Sequence, residues 1–119
     1  MDKRIVFLKK QILSNLRYTP TIEKMARSVE LSESYLQQLF QREIGMSPVQ
    51  YLKQLRLETA RDLLENSFKQ VKQIGNEVGM ADQSHFIRDF KQKYGLSPSE
   101  YRKRHWAKIE AEESGVNES

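Results

Sequence analysis

Two stretches of this chain gather hydrogen-bonding side chains at helical spacing. Ser34, Gln38 and Gln41 recur at i, i+4 and i+7, flanked by Tyr35, Gln37 and Arg42. Ser84, Arg88 and Lys91 repeat that spacing further on, with His85 beside them. At about 100° per residue, each set falls on one helix face. Glu43 and Asp89 lie off these faces, which are nearly free of acidic groups. Such groups suit the edges of nucleobases: a glutamine amide can bond adenine N6 and N7, and a guanidinium can bond guanine O6 and N7. One polar face is what any surface helix carries. Two matched copies favour a reader of double-stranded DNA over mere solvation.

Catalytic chemistry finds no comparable support. There is no cysteine, and neither His85 nor His105 has a Cys or second His at metal-ligand spacing. No Gly-rich phosphate loop or nucleophile motif is present. No enzyme, metal or cofactor is expected. The longest apolar runs are a few residues, too short for a membrane span, and the basic start has helical rather than signal-peptide spacing. A cytoplasmic, nucleoid-associated setting follows. The net charge of +4 conceals an asymmetry. Residues 109–119 hold four glutamates and no lysine or arginine, which leaves 20 basic against 12 acidic residues in 1–108. A basic body of this kind suits a polyanionic partner.

The elements that position the two faces are themselves repeated. Leu36, Phe40 and Ile44 match Phe86, Phe90 and Tyr94, and Gly45-x-Ser47-Pro48-x-x-Tyr51 matches Gly95-x-Ser97-Pro98-x-x-Tyr101, all at an offset of 50. Upstream, Ala26-x-x-Val29-x-Leu31 matches Gly75-x-x-Val78-x-Met80 at 49, so one residue is inserted in the second copy. This many ordered matches mark an internal duplication. Gly45 and Gly95 fit helix C-caps. Ser47-Pro48-x-Gln50 and Ser97-Pro98-x-Glu100 fit N-caps with a capping box.

The spacing predicts an all-α chain of seven helices, near 3–16, 22–29, 33–44, 48–65, 71–78, 83–93 and 98–106. Two helix-turn-helix units, about 5–47 and 67–106, are joined by a long linker helix, about 48–66. Together they form a bipartite domain over 1–108, followed by an acidic, flexible tail over 109–119. In each unit a small residue (Ala26, Gly75) lets two helices approach, and Glu30-Leu31-Ser32 or Gly79-Met80-Ala81 makes the turn. A linker helix holding the two reading helices one DNA turn apart, about 34 Å, would let both enter successive major grooves.

These motifs resemble the DNA-binding domain of the AraC/XylS family of bacterial transcription regulators. The resemblance is densest over Val78-Gly79-Met80-x-Asp82-Gln83-Ser84-x-Phe86-x-Arg88-x-Phe90-Lys91-x-x-Tyr94-Gly95-x-Ser97-Pro98-x-x-Tyr101-Arg102. Leu31-Ser32-x-Ser34-Tyr35-Leu36-x-x-Leu39-Phe40 and Arg56-Leu57-x-x-Ala60-x-x-Leu63-Leu64 extend it. It implies base contacts from Ser34, Gln37, Gln38, Gln83, Ser84, His85 and Arg88. It implies phosphate contacts from Ser47, Arg56, Lys91, Ser97 and Arg102. It also implies regulation at promoters, RNA polymerase as a further partner, and in many members a sensory or receiver domain ahead of this one. A short member without such a domain and an excised piece of a longer regulator both stay open.

Three residues depart from the family pattern. Glu30 replaces a turn glycine, Gly75 replaces an alanine at a cost of about 1 kcal/mol in helix propensity, and Asp89 replaces an apolar residue and should wet the inner edge of its helix. The rival from another class is a helical protein-interaction module contacting the transcription machinery, with Tyr18, Phe68 and Trp106 as candidates. Core or inter-helix packing is the favoured reading of those three aromatics.

Overall fold

The computed structural model describes residues 1–118. Seven α-helices, with no strand among the described residues, bear out the all-α expectation: α1 (Lys3–Ser14), α2 (Ile22–Ser28), α3 (Glu33–Ile44), α4 (Pro48–Asn66), α5 (Val71–Glu77), α6 (Gln83–Tyr94) and α7 (Pro98–Glu118). The caps are those the residue types demand. Thr21, Ser32 and Asp82 each accept a backbone N–H at the start of α2, α3 and α6. Gly45 and Gly95 close α3 and α6 at φ 85° and 82°, a conformation open to a residue without Cβ. Both capping boxes form: Gln50 N–H donates to Ser47 Oγ at 3.2 Å while Ser47 N–H donates to Gln50 Oε1 at 3.0 Å, and Ser97 and Glu100 repeat the exchange at 3.2 and 3.3 Å.

The chain packs as two units, one from Met1 to Arg56 and one beginning at Leu57. The first closes on Ile5, Leu8, Ile12, Met25, Ala26, Leu36, Leu39 and Phe40, with Tyr51, Leu52 and Leu55 against it. The second closes on Leu57, Ala60, Leu64, Ile74, Val78, Phe86 and Phe90, with Tyr94 and Tyr101 against it. The linker helix α4 is therefore divided between the units. Its first half closes unit 1, as α7 closes unit 2. Its second half opens unit 2: Leu57, Ala60 and Leu64 repeat the i, i+3, i+7 spacing of Ile5, Leu8 and Ile12.

The turn of each helix-turn-helix is a Schellman motif. Leu31 N–H donates to Ala26 O at 2.9 Å and Glu30 N–H to Arg27 O at 3.1 Å; Met80 and Gly79 make the same bonds to Gly75 and Asn76 at 2.7 and 3.2 Å. The motif requires a left-handed residue after the cap. Gly79 supplies it at φ 85°, and Glu30, in place of the family's glycine, supplies it at φ 57°. The two turns thus keep one geometry, with a strain of roughly 1–2 kcal/mol stored at Glu30. The inserted residue of the second copy is Ala81, exposed just before the Asp82 cap.

Gly75 has a packing reason that outweighs helix propensity. A Cβ there would stand 2.9 Å from Gln83 Nε2, 2.9 Å from the Met80 carbonyl oxygen and 3.1 Å from Phe86 Cδ2. The carbonyl belongs to the Schellman turn and cannot step aside. Gly75→Ala is therefore expected to destabilise unit 2 by about 1–3 kcal/mol through overpacking, although alanine is the better helix former. A lowered urea midpoint checks this; an unchanged or raised midpoint would mean that the α5–α6 turn yields.

The largest departure from expectation is α7. It runs on through the acidic stretch expected as a flexible tail, as far as Glu118; Ser119 lies outside the described residues. Propensity accounts for this: Ala107, Lys108, Glu110, Ala111, Glu112 and Glu113 are strong helix formers, and no proline interrupts them. Two aromatics also differ. Tyr18 is 69% and Phe68 89% exposed, so neither packs in a core. Each lies in a connection between helices, where a neighbouring side chain covers one ring face: Arg17 stands 5.1 Å from the Tyr18 ring, and Trp106 stacks on Phe68 at 6.0 Å. Trp106 itself is half-buried.

Candidate nucleic-acid interface

In unit 1, Leu36, Leu39 and Phe40 are wholly buried and fix the rotation of α3. Its opposite face then presents Ser34, Gln37, Gln38 and Gln41, all exposed. Tyr35 sits at the edge of that face, with the Arg4 guanidinium 5.9 Å from its ring centre. In unit 2, Phe86 and Phe90 do the same for α6, which presents Ser84, His85, Arg88 and Lys91. Each unit therefore brings its predicted readers together on one surface, Gln83 excepted.

Gln83 stands apart. Its counterpart Glu33 is exposed, whereas the Gln83 amide is turned back onto α5, where Nε2 lies 3.4 Å from the Lys72 carbonyl. It props the start of α6 under Gly75 rather than joining Ser84 and Arg88. Asp82 also serves structure: its carboxylate accepts the His85 N–H at 3.1 Å, and that bond holds its pKa below the usual carboxylate value. Asp89 takes the position of the buried Leu39, with its side chain 15% exposed and Oδ1 3.8 Å from Arg88 Nε.

Of the five residues expected at phosphates, two are committed elsewhere. Arg56 donates from Nε and Nη2 to the Leu16 carbonyl at 3.1 and 2.9 Å, and from Nη2 to Thr19 Oγ1 at 3.2 Å. Burial pushes its pKa down from the usual value. Arg102 donates to four carbonyls: Leu64 at 3.1 Å, Leu63 at 3.4 Å, Ser67 at 3.2 Å, and Lys69. Each guanidinium thus fastens the end of the helix that opens its unit, α1 in one case and the second half of α4 in the other. Lys91 is exposed with its donors available, whereas the Ser47 and Ser97 N–H groups are engaged in their own capping boxes. The two seryl sites are unequal, because the partner in the Ser47 box is the neutral Gln50 and in the Ser97 box the carboxylate of Glu100. The Ser97 hydroxyl and backbone N–H hold that carboxylate's pKa low.

One exposed residue on the α6 face is apolar. Ile87 is 40% exposed and occupies the register of Gln37. The 50-residue offset alone points to it, because its side chain carries no hydrogen-bonding group.

Two units, each built on a helix-turn-helix with a polar, exposed second helix, define a bipartite helix-turn-helix domain. The comparisons place it more closely. The helix-turn-helix domain family matches residues 25–104. A transcriptional regulator from Chromobacterium violaceum with an AraC-type DNA-binding domain superposes with a TM-score of 0.81 at 26% identity, over 87% of this chain and 92% of that one. An uncharacterised helix-turn-helix transcriptional regulator of Haemophilus influenzae is 39% identical over 102 residues, 86% of this chain and 34% of that protein. The Msm operon regulatory protein of Streptococcus mutans is 34% identical over 96 residues, 81% of this chain and 34% of that protein. The chain belongs to the AraC-type helix-turn-helix family of bacterial transcription regulators. It spans about a third of the length of these curated relatives.

Proposed function

We propose that this chain binds double-stranded DNA sequence-specifically near promoters, placing α3 and α6 in successive major grooves. The observation that carries the reading is the pair of matched, exposed, acid-poor faces on α3 and α6, each set by a buried apolar stripe on its opposite side. Ser34, Gln37 and Gln38 are the base readers of one half-site, and Ser84, His85 and Arg88 those of the other. Ile87 adds an apolar contact of the kind that suits a thymine methyl group. Lys91 and the starts of α4 and α7 at Ser47 and Ser97 hold phosphates. A role in transcription regulation is in keeping with the operon regulator among its relatives.

Phosphate contacts predict a steep salt dependence. Each neutralised phosphate contributes about 0.9 to the slope of log affinity against log salt, so a slope of several units is expected on a duplex selected from a random pool. Affinity that stays flat between low and physiological salt would sink the DNA reading.

A second surface favours a coexisting protein contact. Phe68, almost fully exposed and stacked on Trp106, offers a protein such as RNA polymerase an aromatic anchor. Phe68→Ala is expected to leave DNA affinity within twofold while reducing transcription from a dependent promoter. Equal losses in both assays would show that Phe68 acts through the DNA-binding fold instead.

A further inference from the structure

The duplication exposes an asymmetry of charge between the two reading helices. The α6 face carries two cations, Arg88 and Lys91, whereas the α3 face of Ser34, Gln37, Gln38 and Gln41 carries none. One flank of α3 reverses the count. Tyr35 and Arg42 lie there at i and i+7, both exposed, about 100° round the helix from the centre of the reading face. At the 50-residue offset their counterparts on α6 are His85 and Gln92. Unit 1 therefore carries its fixed cation on the flank of its second helix, and unit 2 carries its own on the face.

A second helix adds to that flank. The Arg4 guanidinium of α1 stands 5.9 Å from the Tyr35 ring centre, and the Arg4 side chain is 42% exposed. Asp2 orients it, accepting from Nε at 3.1 Å and from Nη2 at 2.9 Å, which leaves Nη1 outside that pairing. The Arg42 charge also acts on the Asp2 carboxylate. Glu43, the other acid at this edge, accepts the Asp2 backbone N–H at 3.2 Å. Lys3, exposed, shares an open groove with Arg4. The cations Lys3, Arg4 and Arg42 thus outnumber two carboxylates that are already engaged. Unit 2 has no equivalent: Arg56 holds the register of Arg4, one residue before Leu57 as Arg4 is before Ile5, and it is fastened to the Leu16 carbonyl.

We propose that Arg4 and Arg42, beside Tyr35, bind the DNA phosphate strand that borders α3. This site rests on the DNA reading and deepens it. A helix about 10–12 Å across fills a major groove about 12 Å wide, so each flank of a seated α3 faces one strand. A guanidinium presents a planar fork of donors that matches phosphate oxygens. Unit 1 then reads bases through neutral groups and holds the backbone through its flank, while unit 2 carries its cations on the reading face.

Binding of the selected duplex by the full chain, measured across a range of salt concentrations, tests it. Arg4→Gln and Arg42→Gln, the second copying Gln92, should each lower the salt slope by about 1 and leave base preference unchanged. Arg4→Lys keeps the charge and should keep the slope. Replacing single phosphates by neutral methylphosphonates locates the contact. The unsubstituted protein should lose affinity when one strand of the half-site sensitive to Gln38→Ala is neutralised, and the double variant Arg4→Gln with Arg42→Gln should be indifferent to that change. If the unsubstituted protein binds with an affinity flat against salt, the DNA reading and this site fail together. A steep slope that neither glutamine variant lowers, or a change in base preference on losing either arginine, overturns this site alone.

Discussion

Replacing Arg102 with alanine is expected to destabilise unit 2 by about 1.5–3 kcal/mol, the range for hydrogen bonds made by a charged group. The guanidinium of Arg102 reaches the carbonyls of Leu63, Leu64, Ser67 and Lys69. Those of Leu63 and Leu64 belong to the last turn of α4, where no intrahelical donor remains. A cation at that pole also offsets the helix dipole. Arg102→Lys should recover only part of the loss, because a point charge cannot serve four carbonyls in the plane of a fork. Arg56→Ala should act likewise on unit 1 through the Leu16 carbonyl and Thr19. Chemical denaturation checks both. A variant with unchanged stability and a salt slope of DNA binding lower by about 1 would show a phosphate ligand instead.

The two arginines show what kind of information the sequence hides. Arg56 lies 40 residues from Leu16, and Arg102 lies 33 to 39 residues from the carbonyls it holds. No periodicity encodes a bond between an arginine and a distant helix end, so both read as free cations available to phosphate. The reading faces are different, because they are local. The buried positions of α3 and α6 recur every three or four residues, and the opposite face follows from helix geometry alone. The duplication then confirms each face by its copy. Caps were legible for the same reason, since Ser47, Ser97, Gly45 and Gly95 act within four residues of themselves. The turn of the Gln83 amide toward α5, into space opened by the absence of a Cβ at Gly75, is a contact with a residue eleven positions away that no periodicity encodes. The acidic stretch of α7 reads as a tail by charge and as a helix by propensity, and propensity prevails.

Arg88→Ala is expected to cost about 1–3 kcal/mol of DNA affinity and to relax preference at one or two base pairs. Among the proposed base readers only Arg88 can make a charged, bidentate contact with guanine. Its exposed side chain stands 3.8 Å from Asp89, a pairing too loose and too wet to compete strongly with a base edge. Gln38→Ala should cost less, because an amide contact is neutral, and it should act on different base pairs. The separation expected is about one helical turn, the spacing of successive major grooves. Lys91→Ala, by contrast, should weaken all sequences about equally, since phosphates carry no sequence information.

On the proposed reading, α3 and α6 each read their own stretch of DNA. A panel of single-base-pair substitutions across the selected duplex tests it most directly, with affinities measured for the unsubstituted protein, Gln38→Ala and Arg88→Ala. Two clusters of sensitive base pairs are expected, about one turn, roughly 10 base pairs, apart. Gln38→Ala should flatten one cluster and Arg88→Ala the other, each leaving its neighbour intact. A single cluster altered by both substitutions, or a uniform loss of affinity on removing Arg88, would contradict it.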